Sequence, residues 1–317
     1  MAKEKACLII NPVSGTESKK NIPEFVASAI DQKLVELNIH ITGYAGHAIE
    51  IAKRAVKENY KFVIAAGGDG TINEIARTLV DTETALGILP LGSGNGLARD
   101  LGIPMDLDKA LDIILKENSR IIDYGVVNGH IFFCTCGFGF DALISDRFAE
   151  DKRRGPFGYV RNILESVVDF KADEYVITYD DGSLTEKAFI LTCANASQYG
   201  NEAHIAPGAS LDDGKMNVSL LKPLNALEIP QTTLQLFTKN IDKNSKMISL
   251  VTKNLKVQRS RPGVMHVDGD PVNTDSEINV HIVHKGLKVF APSEIEPPAR
   301  SRKEIENILN TFTRWFN

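Results

Sequence analysis

The sequence predicts an α/β protein in two parts: a helix-covered parallel sheet, then a largely antiparallel β domain. Three observations carry this. Strand-like and helix-like segments alternate over roughly the first 120 residues. After that, short strand-like runs follow one another between turn signals. Loops rich in glycine and small polar residues stand where three of the early strands end. We expect an α/β domain over residues 1–124, a β domain over 125–298 and a C-terminal helix over 299–317 packing back on the body.

Each early element has its own signal. Cys7–Ile10 reads as a short buried strand ending in Asn11-Pro12. Ile22–Leu37 carries helical spacing through Phe25, Ala29, Ile30 and Leu34. Ile39–Thr42 is strand-like and Ile49–Lys57 helical. Phe62–Ala66 is a buried strand running into Gly67-Gly68-Asp69-Gly70, and Ile72–Leu79 a helix. Leu86–Leu89 is a strand running into Gly92-Ser93-Gly94-Asn95-Gly96, and Leu107–Leu115 a helix. Repeated strand–helix units imply a mostly parallel sheet covered on both faces.

In the second part, strands are expected at 121–127, 130–136, 174–180, 186–194, 215–221, 248–252, 255–259, 263–267, 277–283 and 287–290. Asn128-Gly129 and Asp181-Gly182 are turn signals between them. Helical stretches are expected near 142–149, 156–168 and 224–238. In the tail, Ile305, Ile308, Leu309, Phe312 and Phe316 form an amphipathic stripe.

Composition excludes several classes. At 43% hydrophobic and 24% charged, the chain can bury a core and is not disordered as a whole. A net charge of −5 leaves no basic footprint for nucleic acid. No apolar run approaches the roughly 18 residues that span a bilayer. The lysine-bearing N-terminus has too short an apolar stretch for a signal peptide, so a cytoplasmic protein is expected. Cys7, Cys134, Cys136 and Cys193 lie in apolar runs without a CxxC pair and read as buried thiols. His281 and His284 read as structural.

The chemistry lies in the loops. Asn11-Pro12-Val13-Ser14-Gly15, Gly67-Gly68-Asp69-Gly70-Thr71 and Gly92-Ser93-Gly94-Asn95-Gly96 all fall at carboxyl ends of strands. Ligands bind at these ends in open α/β sheets. Small residues let backbone N–H groups approach an anion, and the last two loops lead toward helix N-termini that favour phosphate. Three such loops point to a polyphosphate, most simply a nucleotide. Neither GxxxxGK[ST] nor GxGxxG occurs, so this is neither an ordinary P-loop ATPase nor a Rossmann dehydrogenase.

Gly67-Gly68-Asp69-Gly70-Thr71-Ile72-Asn73-Glu74 resembles the GGDGTxNE signature of the diacylglycerol kinase catalytic domain family, and Leu89–Arg99 is similar to its second loop. The likeness continues, in the family's order, through Gly137–Ala142, Ala206-Pro207, Asp212-Asp213-Gly214 and Val267–Pro271. It looks most like the soluble bacterial lipid kinases. The resemblance implies a Rossmann-like N-terminal domain, of the kind in NAD kinases and phosphofructokinases, and a C-terminal β-sandwich. It implies an ATP- and Mg2+-dependent kinase acting on a diacylglycerol-like lipid at the membrane surface, and leaves a homodimer open. Ser93 and Gly96 replace the commoner bacterial Thr and Asp, and the Gly92-Ser93-Gly94-Asn95 form looks closer to sphingosine and ceramide kinases, so those lipids stay open. An NAD kinase, which shares GGDGT, is the more distant reading. A nucleotide-binding regulator is the non-enzymatic one, and the intact acidic pair Asp268 and Asp270 argues against it.

By the same resemblance, ATP is held by Asn11, Pro12, Val13, Ser14 and Gly15, by Thr42, by Gly68, Asp69, Gly70, Thr71, Ile72, Asn73 and Glu74, and by Ser93. Asp69 would organise a Mg2+-bound water network. Asp213, with the carbonyls of Ser210 and Lys215, would hold a second, structural Mg2+. Asp268 and Asp270 would supply the general base and part of the metal network; here Asp270 stands in place of the family's Glu. Read alone, the two are an acidic pair in a solvated hairpin. Lys152–Phe157 reads as a charged loop between helices, with contact between its basic charge and aromatic and an anionic lipid as the alternative.

Overall fold

A computed structural model describes residues 3–14, 21–143, 145, 170–225 and 227–293. Gly15, the Lys152–Phe157 segment, the expected helix near 156–168, most of that near 142–149 and the tail helix lie outside the described residues.

Four parallel strands open the chain: β1 (Glu4–Ile10), β2 (Val35–Ile41), β3 (Phe62–Gly67) and β4 (Ala85–Pro90), in the order β2-β1-β3-β4. β3 and β4 are buried at every residue, which is why their sequences are continuous apolar runs. β2 is the edge, and its residues are half-buried or exposed. The connecting helices are α1 (Ile22–Ala29), α2 (His47–Lys57), α3 (Asp69–Leu79), the one-turn α4 (Gly96–Asp100) and α5 (Leu107–Lys116). α2 buries Ala48, Ile51, Ala52 and Ala55, a stripe at helical spacing. The Asp106 side chain caps α5 by accepting from Lys109 N–H at 3.0 Å.

The expected helix over Ile22–Leu37 is corrected. α1 ends at Ala29, and the Asp31 side chain accepts from Lys33 N–H at 2.9 Å, turning the chain into β2. Leu34, which completed the apparent helical stripe, is 66% exposed in that turn.

The second part is a β-sandwich. β5 (Ser119–Val127) turns into β6 (His130–Phe132) through Asn128 and Gly129, both at positive φ (44° and 84°), the type I′ geometry that Asn-Gly favours. The remaining strands are β7 (Thr135–Gly139), β8 (Asp173–Tyr179), β9 (Gly182–Ala188), β10 (Ile190–Ala194), β11 (Met216–Leu221), β12 (Met247–Thr252), β13 (Asn254–Arg259), β14 (Gly263–Val267), β15 (Asp270–Thr274) and β16 (Glu277–Phe290). α6 (Ile229–Phe237) lies between β11 and β12. One sandwich sheet runs β12-β11-β10-β7-β14-β15. Its core is shared with the facing sheet: Phe138, Leu191, Val218 and Met265 pack with Tyr175, Val257 and Val280.

Three expectations change here. The run 186–194 is two strands, β9 ending at Ala188 in one sheet and β10 beginning at Ile190 in the other. The apolar run 130–136 is not one strand, because the chain leaves one sheet at Phe132 and enters the other at Thr135. Conversely, 277–283 and 287–290 are a single strand, β16, with a bulge between Val283 and Leu287. β16 pairs with β13 at its start and with β4 at Val289–Leu86, so the parallel strands and half of the sandwich form one ten-stranded sheet. Residue 124, the expected domain boundary, falls within β5.

Asp123 fixes the bulge. Its side chain is fully buried and accepts from Lys285 N–H at 2.7 Å, Gly214 N–H at 2.6 Å and His284 Nδ1 at 2.8 Å. Asp123→Ala would strand these donors at the junction of β5, β16 and the 210–215 turn. We expect a loss of about 3 kcal/mol or more in urea unfolding. An unchanged midpoint would contradict this role.

Candidate active site

The first link is topological. β1 has β2 on one side and β3 on the other, so the crevice at their carboxyl ends is the switch point where α/β sheets bind ligands. The Asn11 and Gly67-Gly68-Asp69 loops leave from those two strands. They are tied together: Asn11 Nδ2 donates to Thr71 Oγ1 at 2.8 Å, and Asn11 Oδ1 accepts from Val13 N–H at 3.0 Å. Pro12 and Val13 stay exposed. α3 begins at Asp69 with no side chain capping it, and a Cβ at Gly70 would meet nothing within 4 Å. Open amides of this kind suit a phosphate.

Asp69 joins the second glycine loop to the third. Its Oδ2 accepts from Asn95 N–H at 2.8 Å and its Oδ1 from Gly96 N–H at 2.7 Å. The approach requires glycine: a Cβ on Gly92 would sit 2.7 Å from the Gly68 Cα, and one on Gly94 2.7 Å from Asp69 Oδ2. Asn95, in the left-handed region at φ 50°, closes the loop on itself by accepting from Gly92 N–H and donating to Gly92 O. Asn95 is the structural residue of this loop that motif reading alone did not single out. Ser93 remains exposed at the tip.

The other expected nucleotide residues divide. Thr42 is buried just beyond β2, its N–H donating to Ile10 O at 2.8 Å. Glu74 accepts from Gly46 N–H at 3.2 Å and so holds the start of α2. Ile72 and Asn73 are buried in the first turns of α3 at 1% and 4% exposure, and the Ile72 N–H is already donated to Gly68 O at 3.0 Å.

From the sandwich comes the acidic turn. β14 and β15 are joined by Asp268 and Gly269, at φ 51° and 90°, a two-residue type I′ turn closed by the Val267–Asp270 pair. It is a hairpin, but not a solvated one at Asp268. The Asp268 carboxylate accepts three successive amides, from Phe133 at 2.8 Å, Cys134 at 2.8 Å and Thr135 at 2.9 Å. These are the amides at the corner where the chain changes sheets. Burial pushes the Asp268 carboxyl up, while the three amides and the Arg77 guanidinium pull it back. Asp270 is exposed.

The helix that Asp69 opens meets the strand leading into that corner, Arg77 Nε of α3 donating to Ile131 O of β6 at 3.1 Å. The buried Cys134 thiol is pushed well up by burial and by the charges of Asp268, Asp69 and Asp100. Asp100, at the end of α4, accepts from Ser197 N–H at 3.1 Å, and Asn201 N–H donates to Gly94 O at 3.2 Å, so the third glycine loop is docked on the sandwich.

Ser210, Asp213 and Lys215 belong to a tight turn that contains the buried Leu211. Asp212 is engaged by Arg120 Nη2 at 2.7 Å and Ser210 Oγ at 3.0 Å, and the Arg120 contact holds its carboxyl below the usual range. Asp213 is exposed and accepts from Lys215 N–H at 3.0 Å. Among the described residues no group of three or more His, Cys, Asp or Glu side chains gathers for a metal. One carboxylate, two carbonyls and waters make a donor set compatible with Mg2+.

Comparison with known proteins identifies both halves of the chain. Residues 5–127 match the diacylglycerol kinase catalytic domain, and residues 134–291 the YegS C-terminal NAD kinase beta sandwich-like domain. A protein of Bacillus subtilis named diacylglycerol kinase is 32% identical over 273 residues, covering 84% of this chain and 90% of the relative. The crystal structure of a diacylglycerol kinase from Bacillus anthracis superposes with a TM-score of 0.72 at 20% identity, over 92% of this chain and 98% of that one. An NAD kinase from Archaeoglobus fulgidus shares the fold more distantly, with a TM-score of 0.51 at 12% identity over 98% of each chain. By sequence along nearly its whole described length, and by a fold that unites the two matched domains, the chain belongs to the diacylglycerol kinase family and is a kinase.

Proposed function

We propose that the protein transfers the γ-phosphate of ATP to the hydroxyl of a diacylglycerol-like lipid, giving a lipid monophosphate and ADP. The observation that carries this is the pairing of two walls. Asp69 gathers the glycine loops at the switch point, and Asp268 fixes a turn that leaves Asp270 exposed.

In this reading the amides at the start of α3, the Asn11–Ser14 turn and the Ser93 hydroxyl take the triphosphate. Mg2+ bound with the nucleotide screens charge on the β- and γ-phosphates. Asp69, with each oxygen already accepting an amide, would use its remaining lone pairs to orient the waters of that ion. Asp270 accepts the proton of the lipid hydroxyl as its oxygen attacks in line. Asp268 is the weaker choice of base, because both its oxygens are committed to amides. Asp213 and the Ser210 and Lys215 carbonyls form the proposed structural Mg2+ site. The lipid is drawn from the membrane surface, which the protein meets peripherally. No described helix is long and apolar enough to cross a membrane.

The substrate is tested with γ-labelled ATP and Mg2+ over mixed micelles of diacylglycerol, sphingosine or ceramide, with NAD in parallel. We expect labelled phosphatidic acid as the main product. Label only in sphingoid or ceramide phosphate would move the chain to the branch that its Gly92–Asn95 loop resembles, and label only in NADP would replace the lipid reading.

In the same assay, Asp270→Asn is expected to lower kcat at least about a hundredfold with little change in KM for ATP, while Asp270→Glu keeps substantial turnover. Equal activity of Asp270→Asn and wild type would remove Asp270 as the base. For Asp213, thermal unfolding of the nucleotide-free protein with and without Mg2+ is the check. Wild type should be stabilised by the ion and Asp213→Ala should not. No Mg2+ response in wild type would rule out the second site.

A further inference from the structure

Outside the residues assigned so far, one buried polar cluster is built around a missing side chain. Thr192 of β10, Gly137 of β7 and His266 of β14 lie directly opposite one another across three strands. Residues opposed in this way point to the same face. Glycine in a strand interior often marks a close approach, and here a Cβ on Gly137 would stand 2.2 Å from Asp141 Oδ2 and 2.5 Å from His266 Nε2. The Asp141 carboxylate fills that notch. Its Oδ2 lies 2.9 Å from Thr192 Oγ1, 3.2 Å from Tyr199 OH and 3.2 Å from His266 Nε2, and its Oδ1 accepts from Ala142 N–H at 2.8 Å. The His266 and Asp141 side chains are only 2% and 8% exposed, so the pair is shielded from water.

The other side of the imidazole faces the acidic turn. Gly269 N–H lies 3.4 Å from His266 Nδ1. A backbone N–H can only donate, so Nδ1 must be the bare nitrogen and Nε2 carries the hydrogen given to Asp141. Asp141 thereby sets the tautomer that lets His266 accept from Gly269. Gly269 stands between Asp268, pinned by the corner amides, and Asp270, the exposed acid.

We infer that His266 is a positioning residue for phosphoryl transfer, with Asp141 fixing its tautomer and the Gly137 notch making room for both. It rests on the reading of Asp270 as base. Asp268 anchors one end of the turn, and His266 fixes the peptide through which the chain reaches Asp270. Loss of the Nδ1 acceptor lets that peptide rotate, and Asp270 no longer meets the attacking hydroxyl.

The two conservative amides separate this role from packing. His266→Asn places a side-chain oxygen near the Nδ1 position, while His266→Gln places its amide near Nε2 and offers Gly269 nothing. We expect His266→Asn to keep kcat within about threefold of wild type and His266→Gln to lose about tenfold or more, each with KM for ATP within about twofold. The amide resonance of Gly269 should shift in His266→Gln and stay near its wild-type position in His266→Asn, and thermal midpoints should fall alike. Equal kcat and equal Gly269 shifts in the two variants, or a kcat loss that simply follows the midpoint, would overturn the inference. A wild type inert toward every lipid hydroxyl, with the Gly269 shifts still divided, would refute the kinase reading and support the contact itself.

Discussion

The interaction on which this architecture depends is a carboxylate gathering backbone amides that no strand can pair. Where the chain passes from β6 to β7 it changes sheets, and the amides of Phe133, Cys134 and Thr135 turn toward Asp268. Each buried amide left alone would cost about 1–3 kcal/mol. Asp268 satisfies all three with one side chain placed at the first position of a type I′ turn. The same contact that closes the corner therefore fixes the geometry of the turn. Asp69 does the equivalent for Asn95 and Gly96 in the other half of the chain, and Asp123 for Gly214 and Lys285 at the β16 bulge.

These anchors make the two halves one framework. β16 is shared between the parallel strands and the sandwich, and α4 docks on the segment from Ser197 to Glu202 through Asp100 and through Arg99, whose Nη1 lies 3.5 Å from Glu202 Oε1. The crevice walls are thus held by covalent continuity through β16 and by half-buried polar contacts. Phosphoryl transfer asks for this, since most of its catalysis is positioning and electrostatics. Gly70, Ser93 and Asp270, to which the proposed function gives contacts with the reactants, are exposed.

How much of this was legible depended on the range of the interaction. The continuous apolar runs of β3 and β4, the Asn128-Gly129 turn and the Gly67–Glu74 loop are local, and the sequence shows them directly. The end of α1 was masked by Leu34, whose spacing mimics a helix while Asp31 turns the chain. The break between β6 and β7 has a weak local signature, because Thr135 and Gly137 are the only departures from an apolar run over Ile131–Phe138 and burial on either sheet asks for the same residues. Asp268 could be recognised as part of an acidic turn, but its partners lie more than 130 residues earlier, so its amide-gathering role was invisible. The Asp141–His266 contact spans a similar distance, though Gly137 inside a strand was a usable sign of it.

The central claim is that nucleotide binds at the β1–β3 switch point with its terminal phosphate facing the turn that carries Asp270. The most direct measurement is a crystal structure of the protein with Mg2+ and a non-hydrolysable ATP analogue. The account predicts phosphates on the amides at the start of α3 and beside Ser93, with Asp268 still on its three amides and Asp270 facing the γ-phosphate across room for one acceptor hydroxyl. A nucleotide bound elsewhere, or a γ-phosphate directed away from Asp270, would contradict it.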